Sequence, residues 1–200
     1  DAVAHIIDSA PSAYRWGAQG VSPLRMYHAP LPSPLHHAAA ELRTQPPARL
    51  FEALCRAACG AHNTAALAYV FGFCTNYALS RVTSRFIDEQ ADRLVTYMPS
   101  LSAAARRQLA ASDIDGIMIE DYIDTASAGY AAYRLLDADA PECTAAARVL
   151  AQAVHATLGT HVSPAAVYRG MHDMRHILRL AHGGVPVRSR LQKLEHLLGR

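Results

Sequence analysis

The sequence predicts an all-α fold: a compact single-domain bundle of eight or nine helices spanning residues 1–200. Three observations predict it. Nearly every long segment is built from alanine, leucine and arginine, the strongest helix formers, and runs of alternating β-branched residues are absent. Proline, glycine, serine and asparagine punctuate the chain at helical lengths, leaving short connections. At 51% hydrophobic and 18% charged over 200 residues, the chain can bury a core without disulfide or metal staples.

The elements follow in order. Ala2 to Ser9 reads as a short amphipathic helix. Pro11 to Pro34 is crowded with Pro, Gly, Ser and aromatic residues, and reads as a long ordered loop or a chain of turns. Leu35 to Thr44 is helical and ends before Pro46-Pro47. Pro47 suits the first turn of a helix to about Cys59, which Gly60 stops. Asn63 or Thr64 caps the central segment, which runs to about Tyr97 with a bend near Ser84 and closes at Pro99. Ser102 caps a short helix to Ala110, and Ser112 or Asp113 caps another that ends near Leu136. Asp139-Ala-Pro141 starts a helix ending at Gly159, and Ser163-Pro164 starts one to about Ala181. Gly183-Gly184 ends it, and a final helix covers Val187 to Leu198.

Composition excludes several classes. No apolar run reaches a transmembrane length; Ala65 to Leu79 comes nearest and is too short and too polar. No basic-then-apolar leader precedes a small-residue cleavage site, which points to the cytoplasm, with a leader removed ahead of Asp1 as the alternative. Cys55, Cys59, Cys74 and Cys143 form no paired framework and read as buried free thiols of a reducing compartment. Cys55, Cys59 and His62 would make half a zinc site, but no second cysteine pair follows. Eight acids against Arg134 alone lie between Ser112 and Glu142, and seven bases against Asp173 and Glu195 lie between Arg169 and Arg200. The Arg-rich C-terminal part is thus a candidate surface for an anionic ligand or a protein partner, set against two solvated helix faces of opposite sign.

The central stretch, Ala68 to Ile87, has the apolar weight of a core helix, yet Asn76, Ser80 and Ser84 fall at i, i+4 and i+8 on one stripe. Such a stripe either packs closely against a neighbour or lines a pocket. Serine can also bond back to the i−4 carbonyl, which needs no function. Phosphate-cradling glycine loops, nucleophile elbows and HExxH pairs are absent. His36 and His37 are adjacent and point about 100° apart on a helix. His172 and His176, at i and i+4, share a face with metal-competent spacing, although solvated histidines are the plainer expectation.

Several blocks together resemble the bacterial zinc-dependent phospholipase C family, whose all-helical fold is shared with the fungal single-strand nucleases. They are Tyr14-Arg-Trp-Gly-Ala-Gln-Gly-Val-Ser-Pro23, Gly72-Phe-Cys-Thr-Asn-Tyr-Ala-Leu-Ser-Arg-Val-Thr-Ser-Arg-Phe86 and Gly116-Ile-Met-Ile-Glu-Asp-Tyr-Ile-Asp124. Met171-His-Asp-Met174 and Leu191 to Gly199 resemble the family's closing helices. The blocks come in the family's order over nearly the whole chain.

The resemblance implies a pocket where His, Asp and Glu would bind a cluster of zinc ions and activate water against a phosphodiester. Carried over position by position, it places Ser22 at the loop aspartate and Asn76, Ser80 and Ser84 at the central helix's His, Asp and His. Gly116 stands at a further histidine, and Glu120 keeps its carboxylate. The histidine after the loop is His36 or His37; the fourteen-residue step from Ser22 favours His36. His5 stands for the first ligand. The resemblance therefore implies a pocket of Ser22, His36, Asn76, Ser80, Ser84, Gly116 and Glu120 at a degenerate metal site, with no catalytic residue. Neutral amide and hydroxyl oxygens do not replace imidazole and carboxylate around zinc. No cofactor is expected, the alternative being a single vestigial zinc on His5, His36 and Glu120. The expected function is a binding or structural module without multi-zinc phosphodiesterase activity. The alternatives are a phosphodiester hydrolase with a reduced site and a module for an acidic partner.

Overall fold

The computed structural model describes residues 1–124 and 129–182. The described residues are all-helical, with nine α-helices and no strand. The expected final helix from Val187 to Leu198, the Gly183-Gly184 stop expected before it and the bases beyond Arg179 lie outside the described residues. In chain order the helices are α1 (Ala2–Ser9), α2 (Pro11–Gly17), α3 (Ser22–Met26), α4 (Pro34–Leu42), α5 (Pro47–Ala61), α6 (Thr64–Tyr97), α7 (Ala103–Ile123), α8 (Glu142–Leu158) and α9 (Pro164–His182). A 3₁₀ turn covers Ala132–Arg134. No described helix is long and apolar enough to cross a membrane.

Local chemistry explains several ends. Side-chain oxygens of Ser33, Ser102 and Ser163 accept hydrogen bonds from the amides of Leu35, Ala105 and Ala166 at 3.3, 3.2 and 3.1 Å, capping α4, α7 and α9. Asn63 does the same for α6 through Ala65 at 2.8 Å. Gly159 closes α8 at φ 74°, a left-handed conformation open to glycine.

Three expectations change. The loop from Pro11 to Pro34 contains two short helices, because Pro11 and Pro23 sit in first turns, where a missing amide hydrogen costs nothing. Gly60 does not end α5; the helix continues to Ala61 and His62 takes the left-handed position at φ 46°. Ser112 and Asp113 do not restart a helix either, since neither proline nor a terminating glycine interrupts α7, which stops at Asp124, φ 51°.

The contacts divide the chain into two units, Asp1–Asn76 with Ala132–Arg200, and Tyr77–Ala131. The first holds the core. Its hub is α8, which buries Cys143, Ala146, Ala147, Val149, Leu150, Ala151, Ala153, Val154 and Thr157 and packs against α5, α9, α2 and α4. α3 packs against α9 and α4. Trp16, the only tryptophan, is fully buried, and its indole N–H donates to the Asp137 carbonyl at 2.9 Å. The first part of α6 adds Ala65, Ala66, Ala68, Tyr69, Val70 and Phe73 to this core. Beyond Phe73 the stretch that reads as a buried central helix is largely exposed, as at Leu79, Val82 and Phe86.

Glycines set the closest approaches. A β-carbon on Gly72 would stand 2.0 Å from the Tyr14 carbonyl oxygen, and one on Gly17 would stand 2.0 Å from that of Tyr69. α2 and α6 therefore cross backbone to backbone. Gly170 does the same beneath Pro23, where a β-carbon would be 2.1 Å from its carbonyl oxygen.

The second unit comprises the remainder of α6 and α7, joined by residues 98–102. Arg107 holds the two helices together, donating from Nε to Asp88 at 2.6 Å and from Nη2 to the Ser84 hydroxyl at 3.0 Å.

The cysteines differ from expectation: Cys55, Cys59 and Cys74 are exposed and only Cys143 is buried. Burial, reinforced by the carboxylates of Glu142 and Asp137, pushes the Cys143 thiol up to about 12. Titration of the native protein with a thiol reagent at mild alkaline pH should label Cys55 and Cys59 quickly, Cys74 more slowly because partial burial and the neighbouring Cys55 push its thiol up, and Cys143 only on unfolding. Rapid labelling of Cys143 would contradict its placement.

Candidate functional site

The residues that the family resemblance singles out have definite structural surroundings. In the first unit, the Asn76 amide donates from Nδ2 to the Ala18 carbonyl at 2.8 Å, and a β-carbon on Gly20 would press on Asn76 Oδ1 at 2.6 Å. Asn76 thus ties the residues after α2 to α6. Ser22 begins α3, and its amide donates to the Gln19 carbonyl at 3.1 Å. His36, on α4, places Nε2 at 2.9 Å from the Tyr27 carbonyl. His5 is exposed on α1.

In the second unit, Ser80 is exposed on α6 and Ser84 accepts from Arg107. Gly116 and Glu120 lie on α7. Back-bonding to the i−4 carbonyl, expected of the serines, is made by threonines of α6 instead: Thr75 to Phe71 at 3.1 Å and Thr83 to Leu79 at 2.9 Å.

The donor set at these positions does not fit a zinc cluster. An amide whose donor already holds a backbone carbonyl, three hydroxyls and a glycine offer neither imidazole nor carboxylate. His5 and His36 belong to the first unit and Glu120 to the second. Among the described residues, no group of three or more His, Cys, Asp or Glu side chains is placed to hold a metal ion.

The polar cluster with the most chemistry sits on α9. His172, Arg175, His176 and Arg179 fall at i, i+3, i+4 and i+7, a single stripe along the helix. With Tyr133 of the 3₁₀ turn they line a concavity of about 200 Å³. Asp139 anchors one edge: its Oδ2 accepts from Arg175 Nη1 at 3.0 Å, and its Oδ1 is 3.7 Å from His172 Nε2. Tyr168 meets the His172 ring edge to face at 4.7 Å, and Tyr133 packs on His182 at 5.5 Å. Two members of the stripe are fixed, whereas His176 and Arg179 are exposed and their side chains make no hydrogen bond or ion pair among the described residues.

Asp173, between the histidines in sequence, faces elsewhere. It accepts the His28 amide at 2.9 Å and the Arg169 Nε at 2.9 Å, and so fastens the turn after α3 to α9. Its carboxylate is committed away from the cleft. A second concavity, lined by Arg49, Glu52, Arg56 and Gln152, is less suited to an anion because the Glu52 carboxylate is itself part of its lining, whereas Asp139 is not part of the lining of the α9 cleft.

The stripe is legible in sequence as the i, i+4 histidine pair within a basic segment. Tyr133 and Asp139, which give it depth and an anchor, are distant in sequence and carry no local signal. No family model, curated protein or solved structure matches the chain.

Proposed function

We propose that this chain is a helical binding module that takes an anionic group, phosphate or carboxylate, in the α9 cleft. The observation that carries it is the stripe of His172, Arg175, His176 and Arg179 in one concavity, with Arg175 pre-oriented by Asp139. Guanidinium forks match planar or tetrahedral oxyanions, and a side chain already held in place loses less freedom on binding. Tyr133 adds a hydroxyl and an apolar wall beside the charges.

The scaffold in this proposal is a phospholipase C-like one with its metal ligands replaced, without multi-zinc phosphodiesterase activity. Its support is that Gly17, Gly20 and Gly72, three positions the resemblance retains, are those where backbone or side chain approaches too closely for a β-carbon. Stoichiometric binding of several zinc ions by the purified chain would sink the degenerate-site half of the proposal.

The cleft is tested by titrating the chain with inorganic phosphate, and with anionic and neutral phospholipid vesicles, at rising salt. Binding should weaken steeply with salt. Arg179→Ala should reduce affinity about tenfold, and Arg175→Ala with Arg179→Ala should reduce it further, with melting temperature little changed for the exposed Arg179. Salt-independent binding, or equal affinity in the double variant, would remove the cleft as the site.

A further inference from the structure

The second unit is a helical hairpin without a core of its own. Of its described residues only Ala91 and Ala110 are buried. Two alanines contribute little, and helices of this kind ordinarily owe their stability to burying an apolar face. Among the described residues that face is exposed. Phe86, Leu94 and Tyr97 on α6 and Ile114, Ile117 and Met118 on α7 line a groove of about 400 Å³. Phe86 is 52% exposed, Tyr97 80%, Ile117 58% and Met118 50%. Large side chains left this open, side by side on two helices, mark an interaction surface rather than scattered surface apolar residues.

The charges around the groove indicate the occupant. Arg93 stands on the α6 side and Asp113 on the α7 side. Both are exposed, and neither forms an ion pair among the described residues; Arg93 has only a long 3.5 Å contact to Gln90. A two-fold axis over such a groove brings each Arg93 to the other copy's Asp113, so a single surface is complementary to itself. Phe86, Leu94 and Tyr97 fall at i, i+8 and i+11, and Ala110, Ile114, Ile117 and Met118 at i, i+4, i+7 and i+8. Stripes with this helical repeat interdigitate when two hairpins close into a four-helix arrangement.

We propose that the hairpin is a self-association surface: two copies of this chain pair groove to groove into a four-helix bundle, with reciprocal Arg93–Asp113 ion pairs at its rim. The partner is a second copy, because apolar shape and paired opposite charges are both supplied by the same face. The proposal is independent of the α9 cleft.

Sedimentation velocity of the full chain from low micromolar to near-millimolar concentration tests it. The parent should dimerise. Arg93→Glu and Asp113→Arg should each weaken the dimer at least about tenfold, since like charges then face one another twice. Mixing the two single variants should restore dimerisation. The introduced carboxylate of one chain then meets the introduced guanidinium of the other, and the unchanged Asp113 of the first meets the unchanged Arg93 of the second. Circular dichroism of each variant checks that the helices persist. A parent that stays monomeric overturns the proposal, including a monomer that binds neutral vesicles or an added amphipathic peptide through the groove. Dimers insensitive to either charge reversal overturn it, as does a mixture no tighter than its components.

Discussion

Gly72→Ala should destabilise the first unit by about 3 kcal/mol or more, and Gly17→Ala should do the same. In each case the new methyl would lie 2.0 Å from a backbone carbonyl oxygen. A flexible side chain could rotate away; a helix backbone cannot yield without moving the whole crossing of α2 and α6. The proper control is Gly60→Ala. Nothing lies within 4 Å of its β-carbon position, and it sits inside α5. That substitution should stabilise by about 0.5–1 kcal/mol, the helix-propensity difference between glycine and alanine. Urea melts followed by circular dichroism measure all three. Equal small effects at Gly72 and Gly60 would show that the crossing is looser than described.

Leu150→Ala should cost about 2–5 kcal/mol, whereas Leu79→Ala should cost under about 0.5 kcal/mol. Leu150 is fully buried on α8, the helix that packs against α5 and α9, so its removal leaves a cavity in the hub of the fold. Leu79 is 62% exposed, so little contact is lost. The same urea melts, with the two variants compared at constant m-value, decide it. A Leu79→Ala loss as large as that of Leu150→Ala would place the energetic centre in the stretch that the sequence alone suggests, rather than in α8.

That contrast shows where sequence signals carry and where they stop. Helix class and most ends are local matters. Ser163-Pro164, Ser102, Asn63 and Gly159 can be read because a cap needs only its own turn. The helices starting at Pro11 and Pro23 are hidden in a segment rich in turn formers, because the same proline can break a helix or begin one. Apolar weight does not reveal which helix becomes the hub. Ala68 to Ile87 carries five aromatic residues and Glu142 to Leu158 none, being rich in alanine instead, yet the second stretch becomes α8, which packs against α2, α4 and α5 before it and α9 after it.

The candidate site is partly legible for a related reason. The polar stripe of Asn76, Ser80 and Ser84 stands out, but its members do different work: Asn76 fastens the residues after α2, and Ser84 receives Arg107. The His172–His176 pair is visible as a pattern, while the concavity depends on Tyr133 and Asp139 arriving from other segments.

The discontinuity of the first unit reaches into how the protein is made. Its core joins residues before Asn76 to residues after Ala132, and Trp16 is bonded to the Asp137 carbonyl. A ribosome completes the inward faces of α2 and α5 long before α8 exists to cover them. At 5–20 residues per second the delay from the end of α5 to the start of α8 is roughly 4–16 s. Throughout that interval α2 and α5, which carry Trp16, Leu50 and Leu54, lack the covering of α8. Exposed apolar surface of this kind is what holdase chaperones bind, and the order of the segments along the chain fixes how long it stays uncovered.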